Sequence, residues 1–139
     1  MKIFLYFAGK PKNANANAIA AEYLKRISHY ATIQSCEIHP ERFDPFSRHP
    51  AAQKVFLDPA GRQMNSGTFA SMISKCEMNG KEMVFLVGGA DGLPKGWSDR
   101  ADLLLSISSM TYPHELARAV LAEQIYRAFT ILRGHPYPR

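Results

Sequence analysis

The most constraining feature of this sequence is a run of five apolar residues, Met83–Val87. If this run is a strand, neither of its two faces carries a polar side chain. A strand of this kind is covered on both faces, which is typical of parallel sheets with helices above and below. Four further segments are predicted as strands, some more weakly: Ile3–Ala8, Ile33–Ile38, Lys54–Leu57 and Leu103–Ser106. The sequence therefore predicts a mainly parallel, five-stranded sheet.

Helical patterns separate most of these strands. They cover Ala14–Ser28, a segment that begins at Ser66 as its predicted N-cap, a short turn at Trp97–Arg100, and a long C-terminal segment. Pro113 suits the first position of that last helix, and Gly134 supplies its stop. This alternation predicts an α/β fold with helices on both faces of the sheet.

The last helix carries two polar side chains where apolar ones are expected. At about 100° per residue, its apolar stripe includes the positions of Arg118 and Gln124. Burying an unpaired charge costs several kcal/mol, so Arg118 needs a partner. Two interpretations stay open: the stem packs while the guanidinium reaches solvent, or Arg118 lies at a subunit interface or ligand site.

Length and composition set the outer limits. A chain of 139 residues predicts a single domain, residues 1–139. A net charge of +5 favours a polyanionic partner, although weakly. No apolar run approaches the ~20 residues of a membrane span, and the N-terminal run is too short for a signal peptide, so we expect a cytoplasmic protein. Cys36 and Cys76 lack metal-ligand spacing and the histidines are scattered, so no metal site is predicted.

Three predicted loops follow strands, and parallel sheets bind ligands at the carboxyl ends of their strands. These loops are Asp58–Gly61, a turn signature, the glycine-rich Gly88–Leu93, and Ile107–Tyr112. The glycines allow positive φ and close approach of a ligand. Neither the dinucleotide fingerprint nor a P-loop is present. The residues alone therefore indicate a small-ligand site at this edge, together with an anionic macromolecular partner.

Several segments carry a more specific signal. Phe85–Leu93 reads FLVGGADGL, Leu105–His114 reads LSISSMTYPH, Glu123–Arg127 reads EQIYR and Gly134–Tyr137 reads GHPY. These segments resemble the RlmH family of SPOUT-class methyltransferases, which modify N3 of a pseudouridine in bacterial 23S ribosomal RNA. The resemblance is dense from residue 54 to residue 137. It is looser before that, where the loop of residues 40–50 is shorter than in the family.

The resemblance implies a fold, a cofactor and partners. The fold is an α/β domain with a C-terminal trefoil knot, which is rare among proteins. The cofactor is S-adenosylmethionine, the methyl donor. The partners are a second copy of the chain in a homodimer and 23S ribosomal RNA, in the large subunit or the assembled ribosome.

The resemblance also implies site residues. The expected cofactor contacts are Leu57, Gly88, Gly89, Ile107, Ser108, Ser109, Met110, Thr111 and Tyr112. The imide N–H of the base must lose its proton, which requires a general base or a cation that stabilises the anion. The catalytic candidates are His114, Arg118, His135 and Tyr137. In the tail, Pro138 replaces a histidine that is usual in the family, and Arg139 follows it.

Two other classes of function stay open. One is a binding module that keeps the cofactor pocket or the RNA contact without transferring a methyl group. The other, less favoured, is a nucleotide-binding hydrolase on a similar sheet. For RNA, the sequence offers Lys10, Lys12, Arg42, Arg48 and Arg139 as contacts to phosphate, which carry no sequence information.

Overall fold

The computed structural model describes residues 1–137, within which five strands alternate with five helices. In chain order they are β1 (Lys2–Ala8), α1 (Ala14–Ile27), β2 (Thr32–Ile38), α2 (Pro45–Arg48), β3 (Gln53–Arg62), α3 (Ser66–Met78), β4 (Met83–Val87), α4 (Trp97–Arg100), β5 (Leu103–Leu105) and α5 (His114–Arg133). The strands form one sheet in the order β2-β1-β4-β3-β5, with every neighbouring pair parallel. The predicted α/β fold with a parallel sheet is confirmed.

The two faces of the sheet are covered unequally. On one face, the long helices α1, α3 and α5 pack over the sheet and bury side chains such as Phe85, Ile73 and Phe129. On the other face, the one-turn helices α2 and α4 cover Phe56 with Phe46 and Trp97. Helices on both faces are confirmed. Because β4 is buried on both sides, its five residues can all be apolar.

The helices differ from the sequence prediction at several points, one of which is the end of α1 at Ile27, one residue before the predicted Ser28. The N-cap of α3 is Asn65, whose Oδ1 accepts a hydrogen bond of 2.8 Å from the Thr68 amide, so the assignment to Ser66 is wrong by one residue. Pro113 is likewise the N-cap of α5 rather than its first residue. The sequence did not predict α2, which begins where the Asp44 carboxylate accepts from the Phe46 amide at 2.8 Å.

Strand β3 extends through the segment that was predicted to be a turn. The strand bulges after Leu57, and Arg62 then pairs with Leu105, so Asp58–Gly61 is an irregular part of β3 and the simple turn is wrong. A Cβ on Gly61 would lie 2.6 Å from the Leu104 carbonyl oxygen, so this backbone passes directly over β5. The predicted trefoil knot stays a prediction.

The described helices also bear on membrane insertion. Among residues 1–137, none is both long and apolar enough to span a bilayer.

Candidate active site

The bulged part of β3 after Leu57 and the loops after β4 and β5 meet at one edge of the sheet, because parallel strands run towards the same side. They enclose a cavity of about 340 Å³. All of the expected cofactor contacts except Ser109 line this cavity: Leu57, Gly88, Gly89, Ile107, Ser108, Met110, Thr111 and Tyr112. Other lining residues were not predicted, among them Val87, Ser106 and Ala117. Val87 and Ala117 come from β4 and α5, so their position depends on tertiary packing.

The glycine-rich loop is a tight turn in which glycines serve two different needs. Gly92 has a φ of 79°, in the left-handed region, and its amide donates to the Gly89 carbonyl at 2.9 Å. Gly88 does not have positive φ; a Cβ there would lie 2.7 Å from the carbonyl of Gly92. A Cβ on Gly89 would lie 3.1 Å from the Ala8 carbonyl oxygen. The turn is therefore closed by backbone packing, and the expected positive φ holds only for Gly92.

The loop after β5 is shaped by two of its own serines. The buried Ser106 hydroxyl donates to the Ser108 carbonyl at 2.9 Å, and the Ser108 hydroxyl accepts from the Met110 amide at 2.9 Å. Met110 and Tyr112 nevertheless remain 75% and 41% exposed. The loop thus holds a defined backbone around the cavity while presenting apolar side chains at its rim.

His114 is the catalytic candidate that lines the cavity. It begins α5 and is half-buried. A Cβ on Gly9 would lie 3.8 Å from His114 Nε2 and 3.8 Å from the Gly89 Cα, so the loop between β1 and α1 also borders the site. The imidazole and the glycine-rich turn therefore both lie next to Gly9.

Arg118 is buried, with a relative exposure of 6%, so the interpretation that its head reaches solvent is wrong. Its guanidinium carbon lies 4.2 Å from the centre of the Phe7 ring, and its Nη2 donates to Asn17 Oδ1. Within residues 1–137, its Nε has no hydrogen-bond partner. Burial lowers the pKa of Arg118, partly offset by the Glu115 carboxylate. Arg118 does not line the cavity.

His135 and Tyr137 lie beyond the other end of α5. A helix of 20 residues is about 30 Å long, so His135, which follows its last residues, is remote from His114 within one chain. The Tyr137 hydroxyl donates to Glu123 Oε2 at 2.7 Å and lies 3.2 Å from the Tyr23 hydroxyl. Burial and these two hydrogen bonds raise the pKa of Tyr137 above the usual range, so its phenol stays protonated.

The remaining tail predictions concern residues near and beyond the end of the described chain. His135 is exposed, and its backbone amide donates to the Thr130 carbonyl at 2.9 Å. Pro138, which replaces the histidine usual in the family, and Arg139 lie outside the described residues.

A second cavity of about 390 Å³ lies between the start of α3 and α5. It shares Leu105, Ser106, Ile107 and Tyr112 with the first cavity, so the loop after β5 separates the two. Its far wall contains Gln124, whose side-chain oxygen accepts from the Ser66 hydroxyl at 2.7 Å. This contact explains why Gln124 is tolerated within the apolar stripe of α5. In the part of the chain described here, no group of three or more His, Cys, Asp or Glu side chains is arranged to hold a metal ion.

Comparison with known proteins identifies the family. Residues 1–138 match the family described as "Predicted SPOUT methyltransferase". The chain is 61% identical, over 139 residues and the full length of both proteins, to a protein from Solibacter usitatus named "Ribosomal RNA large subunit methyltransferase H". These matches confirm the resemblance that the sequence motifs carry.

Solved structures with low sequence identity share the fold. A probable methylase family protein from Haemophilus influenzae Rd KW20 superposes with a TM-score of 0.65 at 12% identity, covering 99% of this chain and 70% of that chain. The SpoU methyltransferase AviRb from Streptomyces viridochromogenes, solved in complex with the cofactor AdoMet, gives a TM-score of 0.55 at 15% identity, covering 94% and 61%. By its full-length family match and its 61% identity to that relative, this chain belongs to the SPOUT methyltransferase family and, within it, to the ribosomal RNA large subunit methyltransferase H family.

Proposed function

We propose that this chain transfers a methyl group from S-adenosylmethionine to N3 of a pseudouridine in 23S ribosomal RNA, in the large subunit or the assembled ribosome. The observation that carries the proposal is one cavity, formed at the carboxyl edge of the sheet by the bulge of β3 and the loops after β4 and β5. The chain that forms it is 61% identical to a protein named as an rRNA methyltransferase. An RNA substrate in ribosomes also agrees with the expected cytoplasmic location.

The cavity suits the proposed cofactor in size and lining. Its volume of about 340 Å³ falls in the range of small-molecule sites, roughly 300–1,000 Å³. Leu57 and Ile107 offer apolar surface for a purine ring, and the backbone of residues 107–112 offers hydrogen bonds to its edge. A Cβ on Gly88 or Gly89 would meet the backbone of Gly92 or Ala8, so these glycines allow the closely packed turn that lines the cavity. When bound, S-adenosylmethionine supplies an electrophilic methyl group on its sulfonium sulfur.

The chain then has to align the base, exclude water and accept a proton. His114 is the favoured base, because its imidazole borders the cavity and is half-buried. A neutral imidazole accepts the N3 proton, and the deprotonated nitrogen becomes the nucleophile. Arg118 is less favoured as a catalytic group, because its guanidinium is engaged by Phe7 and Asn17.

A homodimer accounts for the tail candidates. His135 lies about one helix length from His114, and the Tyr137 hydroxyl, which is bonded to Glu123, lies about half that length away along α5. The tail therefore reaches the same base only if a second chain supplies it. Leu116 and Ile131, near the two ends of α5, are 41% and 49% exposed, so a partner on this helix would cover apolar side chains at both ends. We therefore propose that the exposed side of α5 contacts a second copy of the chain.

Methyl transfer is tested with tritiated S-adenosylmethionine and large ribosomal subunits that lack the modification. The wild-type chain should label 23S RNA, and His114→Ala should lower kcat by about 10²–10⁴, the usual contribution of a general base. The control is His29→Ala, which removes an exposed histidine after α1, at the opposite edge of the sheet. Cofactor binding without any labelling would refute methyl transfer and favour the binding module.

The dimer is tested separately by light scattering. We expect a dimer at micromolar concentration and a monomer for Ile131→Glu. Met78→Glu is the control, because Met78 is 82% exposed and lies at the end of α3. A monomeric wild-type chain would contradict the dimer.

A further inference from the structure

The loop between β1 and α1, residues 9–13, carries two exposed lysines, Lys10 and Lys12, and no acidic residue. Gly9, its first residue, lies beside His114 and Gly89, two residues that line the first cavity. Two positive charges are therefore held on a short loop next to the proposed base. An RNA base that reaches the cavity has its own backbone phosphates close to this rim.

The loop is attached to the first turn of α5. The Asn13 backbone amide donates to Glu115 Oε1 at 2.8 Å, although the two residues are far apart in sequence. Asn13 is also the N-cap of α1, where its Oδ1 accepts from the Ala16 amide at 2.9 Å. The last residue of the loop is thus fixed both to α1 and to α5. In this contact the Glu115 carboxylate is engaged as a hydrogen-bond acceptor.

Arg118, one turn after Glu115, holds both flanks of the same loop. Its guanidinium stacks on Phe7, near the end of β1, and donates to Asn17, in the first turn of α1. A buried cation is costly unless its contacts compensate for lost hydration. The contacts of Arg118 join the two ends of the loop, which gives this buried charge a structural task.

We propose that the β1–α1 loop is a preformed RNA-phosphate contact that positions the target nucleotide over the cavity, with Arg118 and Glu115 as positioning residues. This inference rests on the proposed function, since it assigns the RNA contact of the same site. Lys10 and Lys12 bind backbone phosphates without reading sequence. Arg118 and Glu115 act through the loop and contact no substrate.

The first experiment compares two double variants with equal loss of charge. Lys10→Gln/Lys12→Gln alters the loop, whereas Lys25→Gln/Lys75→Gln alters exposed lysines in the last turns of α1 and α3, at the opposite edge of the sheet. For the loop variant we expect KM for large ribosomal subunits to rise on the order of tenfold, with the cofactor Kd unchanged. The slope of log Kd for RNA against log salt concentration should become smaller by about 1.5, because each lost phosphate contact removes roughly 0.7–0.9 from that slope. The control variant should match the wild type in all three.

The second experiment tests positioning with Arg118→Met and Glu115→Ala. Each variant alone should raise KM for the subunits with little change in kcat. Combined with Lys10→Gln/Lys12→Gln, neither should add a further rise, because both act through the same lysines. Glu115 is half-buried, so Glu115→Ala disturbs the core less than Arg118→Met does. It therefore tests positioning through the loop even if Arg118→Met fails to fold.

Each outcome has a clear meaning. Filter binding of 23S RNA requires no turnover, so it tests the loop even if the wild-type chain transfers no methyl group. An absence of methyl transfer by the wild-type chain would refute the proposed function and would leave the test of the loop intact. Equal RNA affinity for the loop variant and the control would overturn the RNA contact. A raised cofactor Kd in the loop variant would show that the lysines bind the cofactor, and this result would also overturn the RNA contact. Additive effects of Arg118→Met or Glu115→Ala would overturn positioning through the loop.

Discussion

Replacing Gly88 by alanine tests how closely the glycine-rich turn is packed. The added Cβ would lie 2.7 Å from the carbonyl carbon and oxygen of Gly92 and 3.0 Å from the Leu93 nitrogen. To restore an ordinary contact of 3.4 Å, the Gly92 backbone must move by about 0.7 Å, since 3.4 minus 2.7 is 0.7. Forcing an extra methyl group into a packed site typically costs about 1–3 kcal/mol. Because the turn lines the cavity, relaxing this overlap changes the shape of the site.

The cost should appear in cofactor binding. In the free protein the exposed turn relaxes by moving, and binding then has to restore its original shape. A cost of about 1.4 kcal/mol raises Kd tenfold, so we expect Gly88→Ala to weaken cofactor binding by about 5- to 150-fold. Isothermal titration calorimetry measures this Kd, and urea unfolding measures any part of the cost borne by the free protein.

A matched control is Gly67→Ala in α3. A Cβ on Gly67 would meet only Asn65 Oδ1, at 3.4 Å, and alanine is favoured over glycine in a helix by about 1 kcal/mol. This variant should therefore bind the cofactor normally and be slightly more stable. If Gly88→Ala keeps the wild-type Kd and the wild-type stability, the account of a closely packed turn is wrong.

Three further predictions concern stability. Gly61→Ala places a Cβ 2.6 Å from the Leu104 carbonyl oxygen and should lower the free energy of unfolding by about 1–3 kcal/mol in urea; an unchanged value would contradict the close passage over β5. Phe129→Ala removes a fully buried side chain and should cost about 3–5 kcal/mol in the same assay, against less than 1 for Met78→Ala at an exposed site. Burial lowers the pKa of His49, whose Nε2 lies 2.7 Å from the Tyr6 hydroxyl, so the unfolded chain binds this proton more tightly. The neutral His49 imidazole therefore contributes its full stability above pH 6.5, and that contribution is lost as the pH falls below 6.5. The Tm should drop with falling pH more steeply for the wild type than for His49→Gln, and parallel profiles of Tm against pH would refute this role of His49.

The sheet could be predicted from the sequence because its strands have a strong apolar pattern. The run Met83–Val87 predicted burial on both faces, and β4 is buried throughout. The sequence did not predict α2, because a four-residue helix depends on the Asp44 cap and on the packing of Phe46 against Phe56. The pattern alone also suggested a turn after Leu57, whereas pairing with β5 keeps that segment in the strand.

The site could be located from the sequence more readily than it could be detailed. The rule for parallel sheets brings three loops together, and the family motifs then name residues within them. The partners of Arg118 could not be predicted, because Phe7 and Asn17 lie about a hundred residues earlier and meet it only through the packing of α1 on α5. The second cavity has the same limitation, since it depends on how α3 packs on α5.

A crystal structure of this chain with S-adenosylhomocysteine, the product left after methyl transfer, tests the central claim most directly. We predict that its adenine occupies the cavity lined by Leu57 and by residues 107–112, with the amino-acid portion near Gly89. Density for the ligand in the second cavity instead, or none at saturating concentration, would contradict the account.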